Sequence, residues 1–323
     1  MDIIITAIIC TCNRHELLSK SIESLINQSV DKEKYQILVV DNNSNQDTRS
    51  LVEDYRKKTS NIDYIFEPVQ GLSKARNIGW KHARGKYVAF IDDDAQASSH
   101  WLENIILCFE GLNNNYALLS GSVFPIWEVP PPKWLTKRMK RFLSLIEWTD
   151  QAGELFDENY LAGTNISYKK ACLMEVGGFN EELGRKKGCL LSMEELHLKR
   201  RLHRFGYKSF YQPQIRVDHF IPESRLKKNW FLKRFFWQGR SEARSFIMMK
   251  GKKYRKRVSI LVEYFRHIIE RRFGIRKGSQ PGKKFSGFKL FEIILLMVKH
   301  FGFVWEVLFY IKENKVPDEL TCH

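Results

Sequence analysis

The chain of 323 residues has no glycine-rich phosphate loop in its first half: neither G-x-G-x-x-G nor G-x-x-x-x-G-K-[S/T] occurs there. That absence argues against a nicotinamide dehydrogenase and against a P-loop nucleotidase. Cysteine is scarce and scattered, at Cys10, Cys12, Cys108, Cys172, Cys189 and Cys322. Cys10 and Cys12 flank a single residue, which is not zinc-ligand spacing, and the scatter points to reduced thiols in a cytosol. An uninterrupted run of about 20 apolar residues, the length a transmembrane helix needs, is also missing. The nearest approach, Phe285 to Ile311, is broken by Lys289, Glu292, Lys299, His300 and Glu306. Met1-Asp2-Ile3-Ile4-Ile5 places an acid where a secretory leader carries bases, and it reads instead as a first strand. There is no repeat and no low-complexity tract. Hydrophobic content of 43% and charged content of 28% are ordinary for a globular chain, and the length fits one large or two ordinary domains.

Charge of one sign is unevenly spread. The net charge is +16. Arg225 to Lys284 alone carries about 20 Lys or Arg against about 3 acids, so the rest of the chain is close to neutral. A near-neutral domain over residues 1–224 followed by a basic, aromatic-rich helical extension over 225–323 is the expected organisation. Such an extension suits an anionic membrane surface, an anionic substrate or nucleic acid. Its bases come without zinc ligands or an RNA-binding signature, so nucleic acid is the rival and not the expected partner.

What is present begins with strands. Ile3 to Cys10 is a β-branched apolar run of strand length and reads as a central parallel strand. Leu17, Leu18, Ile22, Leu25 and Ile26 then follow helical spacing. Tyr35 to Val40 and Asp63 to Phe66 are further strands, and Leu72 to His82 a helix. Tyr87-Val88-Ala89-Phe90-Ile91 is the next buried strand, followed at once by Asp92-Asp93-Asp94. The alternating order predicts an α/β domain with a mostly parallel sheet flanked by helices. Polar groups end each strand: Thr11, Asn13 and Arg14; Asp41, Asn43 and Ser44; Glu67; and the three aspartates. Open α/β sheets bind ligands at that edge. In an extended chain Asp92 and Asp94 share one side and Asp93 takes the other. Two carboxylates so placed suit a hard divalent cation that also holds a phosphate, while an Asp helix cap is the plainer alternative. Arg76, early in its helix, offers a fork for diphosphate oxygens, or is a surface arginine on an amphipathic helix.

The motifs Thr11-Cys12-Asn13-Arg14, Val39-Val40-Asp41-Asn42-Asn43-Ser44, Gly71-Leu72-Ser73-Lys74-Ala75-Arg76-Asn77-Ile78-Gly79 and Phe90-Ile91-Asp92-Asp93-Asp94 stand in an order that resembles the family 2 glycosyltransferases of the GT-A fold. Gly163-Thr164-Asn165-Ile166-Ser167-Tyr168 and Gly177-Gly178-Phe179 extend the likeness, which covers roughly residues 3 to 220. The resemblance implies that Thr11, Asn13, Arg14, Asp41 and Ser44 hold the base and ribose of a nucleoside-diphosphate sugar, UDP by default. It puts Arg76 and Asn77 near the diphosphate, Asp92 and Asp93 near the ribose, and Asp94, with Asp92, on Mn²⁺ or Mg²⁺. His219, in Ile215-Arg216-Val217-Asp218-His219, matches a family histidine that contacts metal or diphosphate; a structural histidine after a strand is the alternative.

Met193-Glu194-Glu195-Leu196-His197 resembles the family's Gly-Glu-Asp motif, followed by L-x-x-R-L. An inverting transferase needs a carboxylate to take the acceptor hydroxyl's proton. Glu195 stands where the family has Asp and Met193 where it has Gly, so Glu195 is the expected base and Glu194 its rival. Leu198, Leu202 and Phe205 would form one face of the following helix. The sugar-reading pocket is expected in poorly patterned loops between Ala95 and Gly163, and Trp127, Pro130 to Pro132 and Trp134 form an acceptor wall or a rigid connector. Asn229 to Ser241 resembles a segment that follows the catalytic domain in bacterial polysaccharide glycosyltransferases. One or two amphipathic helices on the bilayer are expected over 285–311, or a subdomain that buries that face against itself or a partner subunit, as in a homo-oligomer. The resulting expectation is an enzyme on the cytoplasmic face of a membrane. It would move a sugar to a glycan or lipid-linked glycan hydroxyl for a cell-surface polysaccharide. A nucleotide-sugar binder without activity is the other rival, motivated by Met193 and Glu195.

Overall fold

The apolar run at the start of the chain forms β1 (Ile5–Thr11), whose Ile5, Ala7, Ile8 and Ile9 have no exposed surface. A strand buried on both faces needs cover on both, and helices supply it. In the computed structural model, residues 2–45, 47–147, 149–186, 188–250, 259–266 and 290–309 are described. Chain order runs through α1 (His15–Ile26), β2 (Tyr35–Asp41), α2 (Thr48–Arg56), β3 (Ile62–Phe66), α3 (Leu72–His82) and β4 (Tyr87–Asp92). It continues with β5 (Ala95–Ala97), α4 (Trp101–Gly111), β6 (Tyr116–Trp127), α5 (Lys137–Lys140), β7 (Gly153–Leu155), β8 (Ile166–Lys169), α6 (Lys170–Val176), α7 (Glu194–Arg204) and β9 (Lys208–Ile221). The interval expected to be poorly patterned loop thus holds α4 and the long strand β6. Phe205, expected on the buried face of α7, lies beyond its end and is exposed, while Leu198 and Leu202 are buried.

The sheet order is β3-β2-β1-β4-β8-β6-β9-β5, with β7 on β9. Strands β1 to β4 pair in parallel, in register from Ile5↔Tyr35 to Thr11↔Asp41 and from Ile5↔Tyr87 to Cys10↔Asp92. Beyond β4 the sheet turns mixed: β8 is antiparallel to both β4 and β6, while β6 and β9 run parallel. From β1, the chain adds β2 and β3 on one side and β4 on the other. The carboxyl ends of β1 and β4 therefore flank a switch point, where an open sheet leaves a crevice for ligand.

The chain divides into two compact units, one of residues 1–188 and 194–226, the other of residues 189–193 and the chain from Lys227 onward. Arg225, which opens the basic run in the sequence, belongs to the first. In the second, α8 (Lys228–Lys250), a helical segment at 259–266 (α9) and α10 (Leu290–Phe309) surround a core of Ala243, Ile247, Ile260, Tyr264, Phe303 and Val307. Two glycines let α8 and α10 touch along their backbones. A Cβ on Gly239 would sit 1.9 Å from the Lys299 carbonyl oxygen, and one on Gly302 2.2 Å from that of Phe236. Residues 251–258, 267–289 and 310–323, which include much of the basic run and the ends of the 285–311 stretch, lie outside the described residues. Among the described residues, no helix is long and apolar enough to cross a membrane. Cys10, Cys12, Cys108 and Cys172 are free thiols.

Candidate active site

The loops after β1 and β2 interlock through short polar side chains. The Asn13 backbone N–H donates to Ser44 Oγ (3.0 Å), and the Asn45 N–H donates to Asn13 Oδ1 (2.6 Å). The Ser44 N–H donates to Asp41 Oδ1 (3.0 Å), while the Tyr64 hydroxyl donates to Asp41 Oδ2 (2.9 Å). Asn13 and Asn43 both take left-handed backbone (φ 58 and 64), which asparagine tolerates better than most residues. Asn42 ties in the third loop: its amide donates to the Val69 carbonyl (2.9 Å) and accepts from the Gly71 N–H (2.7 Å). Thr11, Asn13, Asp41 and Ser44 thus lie together at one strand edge. Burial, and then Asp41, hold the Tyr64 phenol above its usual range.

The three aspartates do not alternate as an extended chain would. The strand ends at Asp92 and the chain turns, so Asp93 and Asp94 both reach Arg14, at 3.0 and 2.5 Å from Nη1. Thr11 Oγ1 donates to Asp93 Oδ2 (2.8 Å). Burial pushes Asp93 up to about 6, although Arg14 opposes it. Asp94 is buried too, yet His219, Arg225 and Arg14 beside it outweigh the burial and hold its carboxyl well below the usual range. Arg225 Nη2 donates to Asp94 Oδ2 (3.1 Å), and burial brings Arg225 down to about 10 against the pull of Asp94.

His219 arrives from β9, where it pairs with Ala95 of β5, and its Nε2 lies 3.1 Å from Asp94 Oδ1. Its Nδ1 lies 3.1 Å from the Leu143 carbonyl oxygen, which can only accept. In the neutral ring that contact fixes the proton on Nδ1 and leaves Nε2 with its lone pair. Asp94 Oδ1 is buried and has no hydrogen-bond donor. Two acceptors then face each other, Asp94 Oδ1 with no donor and Nε2 with only the long contact of Arg225 Nη1 at 3.5 Å, an arrangement that a cation or an added proton relieves. Asp92, Asp94 and His219 offer ligand atoms within 4.8 Å of one another. Two carboxylate oxygens and an imidazole nitrogen fit a divalent ion such as Mn²⁺, with further positions left for other oxygens. By residue type and spacing the set fits a metal.

A second cluster centres on Arg76. Its stem passes the rings of Phe90 and Phe179, with the guanidinium carbon 6.0 and 5.5 Å from their centroids. Nη1 donates to Glu194 Oε1 (3.0 Å) and Glu195 Oε1 (3.1 Å), and Nη2 lies 3.4 Å from Asp92 Oδ1. One guanidinium therefore links the acid at the end of β4 to the two acids at the start of α7. Arg76 is buried and engaged with three carboxylates; it is not held open for a diphosphate. Glu194 is buried, with Oε2 unpaired by hydrogen bonds; burial, with Glu195 adding and Arg76 opposing, pushes it up to about 8. The Glu195 side chain keeps 13% of its surface exposed.

The downstream motif holds this cluster in place. A Cβ on Gly163 would lie 2.2 Å from both Arg76 Nη2 and Glu195 Oε1, so only glycine admits the pair. The Asp92 N–H donates to Thr164 Oγ1 (3.4 Å), and Asn165 Nδ2 donates to the carbonyls of Ser122 (2.9 Å) and Ile215 (2.8 Å). Met193 has φ 80, a left-handed backbone that accounts for glycine at this place in the resembling motif and is strained for methionine. Asn77 braces the loop at Phe179. Its amide donates to the Phe179 carbonyl (2.8 Å) and Glu181 (3.1 Å) and accepts from the Phe179 N–H (2.9 Å) and Trp80 Nε1 (3.0 Å), so its four amide contacts are taken within the fold.

The sequence reading missed Tyr64 and Arg225. Tyr64 sits in a short strand with no motif around it. Arg225, six residues past His219, looked like the first base of the extension.

A mostly parallel sheet with this acid set at its carboxyl edge defines a GT-A type transferase fold. The description Glycosyl transferase family 2 matches residues 6–176, and the chain belongs to that family. It is 29% identical over 243 residues to a glucosyl-dolichyl phosphate glucuronosyltransferase of Haloferax volcanii, covering 74% of this chain and 76% of that protein. It is 34% identical over 120 residues to a GalNAc(5)-diNAcBac-PP-undecaprenol beta-1,3-glucosyltransferase of Campylobacter jejuni, covering 36% of this chain and 37% of that one. In fold it is similar to S. aureus TarS 1-349 in complex with UDP-GlcNAc (TM-score 0.55, 20% identity, 94% of this chain and 82% of that one). It is likewise similar to the mannosyltransferase PcManGT of Pyrobaculum calidifontis in complex with GDP-Man and Mn2+ (TM-score 0.54, 15% identity, 99% and 78%).

Proposed function

We propose that this family 2 glycosyltransferase moves a sugar, with inversion, from a nucleoside-diphosphate sugar to a hydroxyl of a lipid-linked glycan. The observation that carries the reading is the pair of facing acceptors, Asp94 Oδ1 and His219 Nε2, beside Asp92 at the ligand edge of the sheet. Asp92, Asp94 and His219 would hold Mn²⁺ or Mg²⁺, which supplies Lewis-acid neutralisation of charge growing on the leaving diphosphate. Thr11, Asn13, Arg14, Asp41 and Ser44 would seat the base and ribose. Arg14 now pairs with Asp93 and Asp94, so donor binding would exchange some of those contacts.

Glu195 takes the acceptor's proton in this reading. It keeps some exposure, whereas Glu194 is buried and its carboxyl is raised to about 8, which favours the neutral form and makes it the poorer base candidate. Arg76 is a positioning residue that fixes Glu195 relative to Asp92. UDP is the first candidate nucleotide. The lipid-linked acceptor is supported by two relatives whose names carry dolichyl phosphate and PP-undecaprenol. Such a chemistry fits a chain working at the cytoplasmic face of a membrane and feeding a cell-surface polysaccharide.

Calorimetric titration with UDP, GDP and other nucleoside diphosphates, with and without Mn²⁺, tests the donor site. One nucleotide is expected to bind in a metal-dependent way, and Asp94→Ala to abolish it. Failure of every nucleotide to bind would remove the reading.

A further inference from the structure

Helix α10 is interrupted by charge when its sequence is read linearly, but the fold sorts that charge to one side. Glu306 is buried and accepts from Arg240 and Arg244 of α8. Lys299 Nζ pairs with Glu242 at 2.9 Å, His300 Nδ1 lies 2.6 Å from the Tyr264 hydroxyl, and Glu292 is buried. The opposite face runs through Leu290, Ile294, Met297, Phe301, Trp305 and Phe309, in steps of three and four residues that draw one stripe. These side chains are exposed, from 40% at Ile294 and Trp305 to 75% at Leu290. Among the described residues of α10, none that is exposed carries charge. Phe236 of α8 widens the stripe, its ring 5.9 Å from Phe301 and 6.4 Å from Trp305, and Trp305 lies 4.4 Å from Phe309.

Cations border this face. Lys228 Nζ lies 5.5 Å from the ring of Phe291, next to Leu290, and both Lys228 and Lys233 are exposed on α8. We propose that the stripe is a membrane-docking face: α10 lies in the plane of an anionic phospholipid bilayer, with Met297, Phe301 and Trp305 in the acyl boundary. Lys228 and Lys233 would meet the lipid phosphates. The lysine border argues against a second copy of the chain as the occupant. Two copies facing each other would bring their lysine borders together. The inference rests on the second unit alone and not on the donor-site reading.

Co-sedimentation of the full chain with vesicles is the test. Vesicles of phosphatidylcholine mixed with phosphatidylglycerol should bind at least about tenfold better than phosphatidylcholine alone, and about 0.5 M salt should weaken the binding. The double variant Phe301→Glu, Trp305→Glu should lose at least about tenfold in partition while keeping its helical circular dichroism. Trp305→Phe, which keeps the face apolar, should bind as the wild type does. No binding by the wild type, or undiminished binding by the double variant, would overturn the proposal. Self-association that the double variant abolishes, without vesicle binding, would overturn it in favour of a second copy. Nucleotide titration of the double variant should match the wild type, so the outcome here is separable from that of the donor reading.

Discussion

Asp94 in the first unit and Glu306 in the second are each a buried carboxylate held by two arginines, yet their oxygens end in different states. At Glu306 each oxygen takes one guanidinium, from Arg240 and Arg244, one turn apart on α8. At Asp94 both Arg14 and Arg225 go to Oδ2, and Oδ1 is left beside His219 without a hydrogen-bond donor. A buried charge whose partners complete its hydrogen bonds holds structure together. One whose partners leave an oxygen over, at the ligand edge of a sheet, keeps an acceptor in reserve for a ligand. Counting charges would treat the two alike; following each oxygen to its donor separates them.

Neutralising each carboxylate without changing its shape should break the comparison most sharply. Asp94→Asn is expected to lower sugar transfer roughly 10³-fold, because several kcal/mol of charge stabilisation goes with the metal. Glu306→Gln should do the reverse. It leaves two largely buried guanidiniums without their anion and should cost about 3 kcal/mol of stability in denaturant unfolding. Turnover per folded molecule should stay within about twofold of wild type. If Asp94→Asn instead lowered only the unfolding midpoint, the orphaned oxygen would carry no functional meaning.

The Arg76 cluster sharpens the contrast within one pair of neighbours. Glu194 and Glu195 share a single Arg76 nitrogen, but burial raises Glu194 to about 8, toward its neutral form. Glu195→Gln should lower transfer about 10³-fold with nucleotide affinity within about twofold, as expected when a general base is lost. Glu194→Gln keeps an oxygen for Arg76 and copies the neutral form that burial favours, so transfer should fall by less than about tenfold. Steady-state rates with a fixed donor decide between the two, and equal losses would remove the assignment of Glu195.

Much of the first unit was legible because its signals are local. The apolar runs of β1, β2 and β4 and the helix Leu72–His82 stand in the sequence almost as they fold, and the motif order gave the edge where Thr11, Asp41 and the aspartates meet. The rest depends on contacts between distant residues. Arg225 finds Asp94 131 positions away, and the Leu143 carbonyl that sets the His219 tautomer is a backbone atom without a side-chain signature. Gly121, Pro125 and Pro213 interrupt β6 and β9, whose pairing also shifts register, so neither shows a clean alternation. Glu306 and Lys299 looked like flaws in an apolar helix until their partners on α8 turned them inward. Asn77 sits inside a motif whose neighbour Arg76 does face the acids, and nothing in the residue type tells a brace from a ligand.

A further effect is expected on stability against pH, where Glu194 and Asp93, both raised by burial, share one sign and Glu194 alone extends it above pH 6. Its carboxyl is raised from the usual 4.5 to about 8, so across that interval the folded chain binds a proton that the unfolded chain has released. Stability contributed by this group is fully present below 4.5 and is lost as pH rises through 8. Asp94, held well below its usual range, acts in the opposite sense, its contribution being lost only in strong acid as the pH falls through its lowered value. Between these limits the Glu194 slope should stand out in denaturant midpoints taken from pH 6 to 8. Glu194→Gln should flatten it, leaving the variant relatively more stable at the alkaline end. A slope unchanged by the substitution would mean that Glu194 is ionised in the fold, and would return it to equal standing with Glu195 as the base.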